Sequence, residues 1–198
     1  HSRSGSQGSR QEISHPVSML DDREILSLYR SGDRERAFKA LVDSYKERLY
    51  WHIRRFVYSH EDTDDLLQET FVKVWSALPG FREDSRLFTW IYRIATNETL
   101  NFIRRQKTHG LADTEPVENI IGKKIDDDPY FNGTEVQKVL HNAIRKLPPR
   151  QKAVFNMRYF DDMGYNDIAG ILGVSAGALK ASYHHACTKI KEELEKYF

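Results

Sequence analysis

Apolar residues recur every three or four positions along most of residues 19–107, which is the spacing of helices with one buried face. A short helix is predicted in LDDREILSLYRSGD, and a long helix follows it. One face of the long helix is marked by Phe38, Leu41, Tyr45, Leu49, Ile53 and Phe56. A third helix has its apolar stripe at Leu67, Phe71, Val74 and Leu78 and ends at the helix-stopping LPG. With a fourth helix in LFTWIYRIATNETLNFIRRQ, the pattern predicts a four-helix bundle.

The periodicity is lost over residues 108–133, where Gly, Pro and Asp are mixed with scattered apolar residues, so this segment is predicted to be a flexible linker. Helical spacing returns over residues 134–198, and Pro148 and Pro149 separate the first two helices there. No alternating strand pattern is present. The sequence therefore predicts an all-α fold of two small helical domains, residues 19–107 and 134–198. Residues 1–18 are rich in Ser, Gly and Arg and are interpreted as a disordered leader or tag remnant, with Met19 as one candidate for the native start and an upstream start as the alternative.

The second domain contains YNDIAGILGVSAGALKASYHHA, which has the layout of a helix-turn-helix. Gly173 suits the positive φ of the turn, Ser175 can cap the second helix, and Leu179 can anchor that helix to the core. An ordinary helical hairpin uses the same residue types, so spacing only favours the DNA-binding interpretation. The exposed face of the second helix would carry Lys180, His184 and His185.

Charge, cysteine count and the length of the apolar runs limit the classes of function that the chain can have. Lys and Arg number 30 against 29 Asp and Glu, so net charge alone does not indicate nucleic acid. The single cysteine, Cys187, forms neither an intramolecular disulfide nor a cysteine zinc site. No apolar run approaches the roughly 20 residues that cross a bilayer. We therefore expect a cytoplasmic protein without direct membrane insertion.

The third predicted helix carries a cluster of acidic and amide side chains opposite its apolar stripe. The cluster consists of Asp64, Asp65, Gln68 and Glu69, and Lys73 is the only base on the same helix within reach. A solvated face would explain any one of these residues. The whole cluster favours a surface that binds a basic partner.

Aromatic residues alternate with arginines in LPGFREDSRLFTWIYRIATNETLNFIRR, in larger numbers than one buried stripe can hold. Stacking platforms beside basic grooves bind single-stranded nucleic acid, and flipped bases enter pockets of similar composition. The segment is therefore a candidate single-strand binding surface.

These motifs resemble one family. DDLLQETFVKVWSALPGFREDSRLFTWIYRIATN, followed after the linker by LPPRQKAVFNMRYFDDMGYNDIAGILGVSAGALKASYHHA, is similar to bacterial sigma factors of the extracytoplasmic-function class. The resemblance implies sigma domains 2 and 4, binding to core RNA polymerase, promoter recognition, DNA melting and transcription initiation. It implies no cofactor, and it implies an anti-sigma factor among the partners.

The resemblance also implies roles for individual residues. The acidic cluster would dock on the β′ clamp of core RNA polymerase, and domain 4 would bind the β flap. The promoter's minus-ten element would be bound by Phe81, Arg82, Trp90, Tyr92, Ile94, Asn97, Arg104 and Arg105. The minus-thirty-five element would be bound as duplex by Ser175, Lys180, Ala181, His184 and His185. This chain departs from the family at Ser182, His185 and Cys187, where arginines are common, and Ala181 replaces a usual hydroxyl.

Two other function classes fit the sequence less well. A stand-alone helix-turn-helix regulator would need only duplex recognition and an apolar dimer interface, which leaves the acidic cluster and the aromatic-basic segment unexplained. An enzyme is disfavoured because the sequence has no glycine-rich phosphate loop, nucleophile elbow or paired metal motif. His184 and His185 point about 100° apart on a helix, so no metal site is predicted there. His52 and His60 are expected to be exposed or to cap a helix.

Overall fold

The computed structural model describes residues 19–109 and 133–198, and within these ranges the chain forms eight α-helices and one 3-10 turn, with no strand. The helices are α1 (Asp22–Arg30), α2 (Arg34–Val57), α3 (His60–Ala77), α4 (Leu87–His109), α5 (Glu135–Arg145), α6 (Pro149–Tyr159), α7 (Tyr165–Leu172) and α8 (Ala176–Glu195), and the 3-10 turn is Leu78–Gly80. The all-α prediction is confirmed for the described ranges. The predicted leader and most of the predicted linker lie outside the described residues.

Helix starts follow from capping residues. Asp21 and Glu24 form a capping box at α1, with the Glu24 amide donating to the Asp21 carboxylate at 2.9 Å. Thr134 and Gln137 form the same motif at α5. Ser175 caps α8 by accepting from the Ala178 amide at 3.3 Å, as the sequence predicts. The contacts among the described residues define two compact units, which are divided between Ser44 and Tyr45.

In the described part of the first unit, α1 and the start of α2 bury Ile25, Ala37 and Leu41. The Ser44 hydroxyl donates to the Leu20 carbonyl oxygen at 3.1 Å, which ties the chain before α1 to α2. In the second unit, Ile53, Phe56 and Val57 of α2 form one buried cluster with Leu66 of α3 and Ala153 of α6. A second cluster lies between α5, α6 and α8, and it comprises Ala143, Ile144, Leu147, Phe155, Ala186 and Ile190.

The buried face of α3 differs from the predicted stripe. Val74 and Leu78 are buried as expected, but Leu67 and Phe71 are only half-buried. The remaining core positions of the helix are Thr63, Leu66 and Thr70. Both threonines donate to the carbonyl four residues earlier, at 2.6 and 2.7 Å, so their hydroxyls are satisfied inside the core. Hydrophobicity alone does not mark such residues as buried.

The turn between α7 and α8 has the geometry that its sequence requires. Gly173 ends α7 with φ of 67° and ψ of 36°, in the left-handed region. Its amide donates to the Ala169 carbonyl at 2.8 Å, and Val174 donates to the same oxygen at 3.4 Å. Ile168 and Leu179 are fully buried on either side of the turn.

We predict that Gly173→Ala lowers the free energy of unfolding by about 1 kcal/mol, because an L side chain is strained at this φ. Gly177→Ala is the matched control, since Gly177 lies within α8 and an added Cβ would meet nothing within 4 Å. That substitution should be neutral or stabilise by about 0.5–1 kcal/mol through helix propensity. Urea unfolding midpoints measure both, and equal effects of the two substitutions would contradict the strain argument.

Candidate functional site

The acidic cluster lies on the outer face of α3. Asp65, Gln68 and Glu69 are exposed, and no hydrogen bond or ion pair to their side chains occurs among the described residues. Asp64 is half-buried and pairs with His60 at 3.3 Å. Lys73, the one base of α3 within reach of the cluster in the sequence, pairs instead with Glu98 of α4. The cluster therefore presents carboxylate and amide groups to solvent in a form that a basic partner can bind.

An apolar extension of this face was not predicted from the sequence. Val72 is 65% exposed and Trp75 is 42% exposed, the two large hydrophobic side chains on the outer side of α3. They follow Asp65, Gln68 and Glu69 at helical spacing, so all five side chains share one face. The spacing was visible in the sequence, but the burial of Thr63 and Thr70 was needed to show which face points outward.

The turn after α3 and the start of α4 bring two of the predicted minus-ten residues together. The rings of Phe81 and Trp90 pack with their centroids 4.9 Å apart and their planes tilted by 43°. Both side chains are half-buried, and Arg82 beside them is exposed. This places an aromatic pair and a guanidinium group at one end of α4.

Further along α4, Asn97 is exposed and Ile94 is half-buried, so Asn97 lies at the edge of the buried face. Arg104 and Arg105 are exposed in the last part of the helix, and Arg104 donates to the Asn101 side chain at 2.6 Å. The predicted minus-ten residues are therefore distributed along about four turns of one helix and the turn before it.

Tyr92 differs from the other predicted minus-ten residues because it is only 2% exposed. Its ring lies 4.5 Å from Phe88 and 5.0 Å from His52, centroid to centroid. Burial, with the Asp161 carboxylate adding to it, raises the pKa of the Tyr92 phenol well above its usual range. In this arrangement the side chain supports the helix and is closed to DNA.

The expectation for His52 was wrong. His52 is fully buried, and its two ring nitrogens bond Asp161 Oδ2 at 3.0 Å and Thr96 Oγ1 at 2.9 Å. Asp161 is 109 residues away in the sequence, so no local pattern could indicate the pair. His60 is exposed at the start of α3, where it bonds Tyr50 and Asp64.

The predicted duplex-binding residues lie at the start and on the outer face of α8. Lys180, Ala181, His184 and His185 are exposed, and Ser175 is exposed at the cap. Their spacing of one, four and five residues places the four helical side chains on one side. Lys180 Nζ lies 5.8 Å from the centroid of the Tyr165 ring of α7. The arrangement is that of a helix-turn-helix whose second helix is free to enter a major groove.

The described ranges contain neither a candidate metal cluster nor a candidate membrane span. No group of three or more His, Cys, Asp or Glu side chains that could hold a metal ion occurs there. None of the described helices combines the length and the apolar character that a membrane span needs.

Two protein families match separate parts of the chain. Residues 41–109 match the family described as Sigma-70 region 2, and residues 137–190 match the family described as Sigma-70, region 4. The RNA polymerase sigma-H factor of Pseudomonas aeruginosa is 30% identical over 88% of this chain and 94% of its own length. The ECF RNA polymerase sigma-E factor of Escherichia coli K12 is 28% identical over 89% and 95% of the two chains.

Solved structures share the fold. CnrH, solved in complex with the cytosolic domain of CnrY, aligns with a TM-score of 0.66 and 23% identity, over 88% of this chain and 97% of that chain. The sigma factor RpoE of Bartonella quintana, solved with the anti-sigma factor NepR, aligns with a TM-score of 0.64 and 21% identity, over 80% and 96% of the two chains.

A helical fold with a helix-turn-helix at α7 and α8 is typical of proteins that bind DNA in transcription. With both family matches and the relative at 30% identity, the chain belongs to the sigma-70 family and to its extracytoplasmic-function class. It is a sigma factor and directs transcription initiation. The family is generally not enzymatic, and the matched relatives' names state no catalytic activity.

Proposed function

We propose that this sigma factor binds core RNA polymerase through the outer face of α3. The single observation that carries the proposal is the exposed cluster of Asp65, Gln68 and Glu69, which has no neutralising partner among the described residues. Asp64 flanks the cluster, and Val72 and Trp75 supply adjoining apolar area. Charge complementarity orients and speeds association with a basic surface, and apolar burial adds affinity. Residues 19–107 bind the β′ clamp of the polymerase, and residues 134–198 bind its β flap.

The minus-ten element is bound by α4 and the turn before it in this proposal. Asn97 is exposed, and its amide can donate to and accept from one base edge. Phe81 and Trp90 form the aromatic pair beside Arg82, and Arg104 and Arg105 hold the phosphate backbone. Ile94 lies half-buried on the same helix, and Tyr92 lies on the buried face of that helix. Holding one strand in this way favours the melted promoter.

The minus-thirty-five element is bound as duplex by α8. Ser175 caps the helix at the end that enters the groove, and Lys180, Ala181, His184 and His185 share its outer face. In the family, arginine is common at the position of His185 and a hydroxyl at the position of Ala181. These two replacements should change the salt dependence of DNA binding and the preferred bases.

Lys180→Ala should weaken binding to all minus-thirty-five duplexes by a similar factor. Its ammonium neutralises a phosphate, so the slope of log affinity against log salt concentration should become shallower by about 1. Lys189→Ala is the matched control, since Lys189 is also exposed on α8 but lies nine residues on, about half a turn away around the helix. A salt titration of holoenzyme binding measures both slopes, and an equal change for both variants would contradict the assigned face.

An anti-sigma factor is a further partner of this chain in the proposed function. The relatives with similar folds were solved with CnrY and with the anti-sigma factor NepR, and we assign an anti-sigma partner to this chain as well. The protein acts in the cytoplasm on promoter DNA and performs no chemistry of its own. A stand-alone helix-turn-helix regulator is not favoured, since it would leave the outer face of α3 without a partner.

Run-off transcription with core RNA polymerase on a genomic promoter library tests the proposal. Transcripts that require the chain, and that share two sequence elements upstream of their start sites, are expected. Duplex binding without polymerase, and no chain-dependent transcript, would favour the stand-alone regulator.

A further inference from the structure

Basic residues greatly outnumber acidic residues in one part of the fold. Residues 99–109 and 133–160 include the second half of α4, all of α5 and all of α6, and they contain nine Lys and Arg but only one acid, Glu135. The whole chain has 30 bases and 29 acids, so this excess is local. A local excess of one sign of charge attracts ions of the opposite sign, so anions should gather at these helices.

Packing brings the end of α4 and the end of α5 to the start of α6. Ala153 of α6 belongs to a buried cluster against which Ile103 of α4 packs. Lys107 lies one turn beyond Ile103 on the same face of α4, and Lys152 directly precedes Ala153. Arg145 is the last residue of α5. Lys107 and Arg145 both repel Lys152, so the three cations lie close together.

The ammonium group of Lys152 has no anionic partner in the described part of the chain. The side chain is half-buried, and its Nζ lies 5.5 Å from the centroid of the Tyr58 ring. Burial, with repulsion from Lys107 and Arg145 adding to it, lowers the pKa of Lys152 to about 8. A desolvated cation costs free energy unless an anion accompanies it.

Two buried neutral side chains add hydrogen-bonding groups near Lys152. Tyr58 is 3% exposed, and burial raises the pKa of its phenol well above the usual range, so its hydroxyl keeps the proton and is a donor. Asn156 is 1% exposed and follows Lys152 by one turn on the same face of α6. Its amide nitrogen and oxygen have no hydrogen-bond partner among the described residues, although buried amides are nearly always paired.

We propose that these side chains form an anion site that binds one compact phosphate group, from inorganic phosphate or from a nucleotide. The anion site consists of Lys107, Arg145, Lys152, Tyr58 and Asn156. A phosphate dianion pairs with cations that otherwise repel one another, and its oxygens accept from the neutral donors. Half-buried Lys152 and buried Asn156 favour a small ligand, because duplex DNA is too wide to reach side chains below the surface. The site contains none of the side chains assigned to polymerase or promoter binding, so its test is independent of the proposed function.

Thermal unfolding of the free chain measures the binding of phosphate. Replacing chloride by about 10 mM phosphate at constant ionic strength should raise the unfolding temperature by at least about 2 °C, because a ligand of the folded state stabilises it. Lys152→Met should abolish this rise. In chloride the variant should be at least as stable as the unsubstituted chain, because methionine removes a desolvated charge and fills similar space. A lost response would therefore not reflect a damaged fold.

Lys138→Met is the matched control for Lys152→Met. Lys138 is exposed near the start of α5, about two turns from Arg145, and its replacement changes the net charge by the same amount. The control should keep the full rise in unfolding temperature. An equal loss of response in both variants, or no rise for the unsubstituted chain, would overturn the anion site.

The pH profile of binding separates a contact with the anion from a structural effect. Sulfate is the probe, because it stays a dianion from pH 7 to pH 9. Lys152 is charged below its pKa of about 8 and neutral above it, so sulfate affinity should fall about tenfold between pH 7 and pH 9. The charged groups that face it are Lys107 from α4 and Arg145 from α5, and Tyr58 keeps its proton. Lys152→Arg stays charged and should bind sulfate equally at both pH values. Calorimetric titration measures the affinities, and the same profile for both chains would overturn the role of Lys152.

A series of ligands identifies the source of the phosphate group. Inorganic phosphate, adenosine 5′-monophosphate and a duplex of unrelated sequence are compared by calorimetry at pH 7. Equal affinity for the first two assigns the site to the phosphate group alone, and tighter binding of the nucleotide assigns it to nucleotides, so both results support the proposal. A duplex that binds more tightly per phosphate than inorganic phosphate, and that loses this advantage in Lys152→Met, would assign the cluster to DNA and overturn the compact ligand.

Discussion

Replacing Asp65 and Glu69 together by lysine should reduce the affinity for core RNA polymerase at least about 100-fold. Like charges placed opposite a complementary surface cost several kcal/mol, and each 1.4 kcal/mol is about tenfold in affinity. Both side chains are exposed, so the fold should be unaffected. Fluorescence anisotropy with purified core polymerase measures the affinity, and circular dichroism melting checks the fold.

The matched control is Asp43→Lys with Glu47→Lys. These residues are also exposed, also four apart on one helix, and change the net charge by the same amount. The Asp43 pair with Lys39 is at the surface and contributes little. The control should bind core polymerase within about threefold of the unsubstituted chain. If both double variants lose affinity equally, net charge and not the α3 face determines binding.

Asn97→Ala should slow promoter opening by about 5- to 150-fold, which corresponds to the loss of one bidentate base contact worth about 1–3 kcal/mol. Asn97 is exposed, and alanine has the higher helix propensity, so thermal stability should stay level or rise slightly. Core-polymerase binding should not change. Permanganate footprinting of the melted strand measures opening on a linear promoter.

The control for this prediction is Asn101→Ala, which removes the same kind of amide one turn further along α4. The Asn101 side chain accepts a hydrogen bond from Arg104 at 2.6 Å, and no base is assigned to it. Asn101→Ala should therefore change the rate of promoter opening only slightly. The loss at Asn97 should persist on a pre-melted template and should disappear when the cognate base is replaced. Normal opening by Asn97→Ala would show that the amide has only a structural role.

The helices could be predicted from the sequence because their apolar spacing, caps and stop signals are local. The capping of α8 by Ser175 and the left-handed Gly173 follow from residues within one turn of each other. The exposure of Lys180 and His184 follows from the same spacing.

The contacts that join distant helices could not be predicted. Thr63 and Thr70 are buried because their hydroxyls bond backbone carbonyls, which hydrophobicity does not record. Asp161 and His52 are brought together by the fold, and single-sequence patterns do not encode a partner so far along the chain. For the same reason, the sequence does not show that Tyr92, which the family resemblance assigns to the minus-ten element, lies on the buried face of α4.

The central claim is that one chain recognises one promoter element as duplex and the other as a melted single strand. It does so only when it is bound to core RNA polymerase. Footprinting of one promoter with the chain alone, core alone and both together tests it most directly. With both present, protection of the upstream duplex and permanganate reactivity of unpaired thymines near the start site are expected together. Lys180→Ala should weaken only the first, and Asn97→Ala only the second. Protection of a palindromic duplex by the chain alone, without reactive thymines when core is added, would contradict the account.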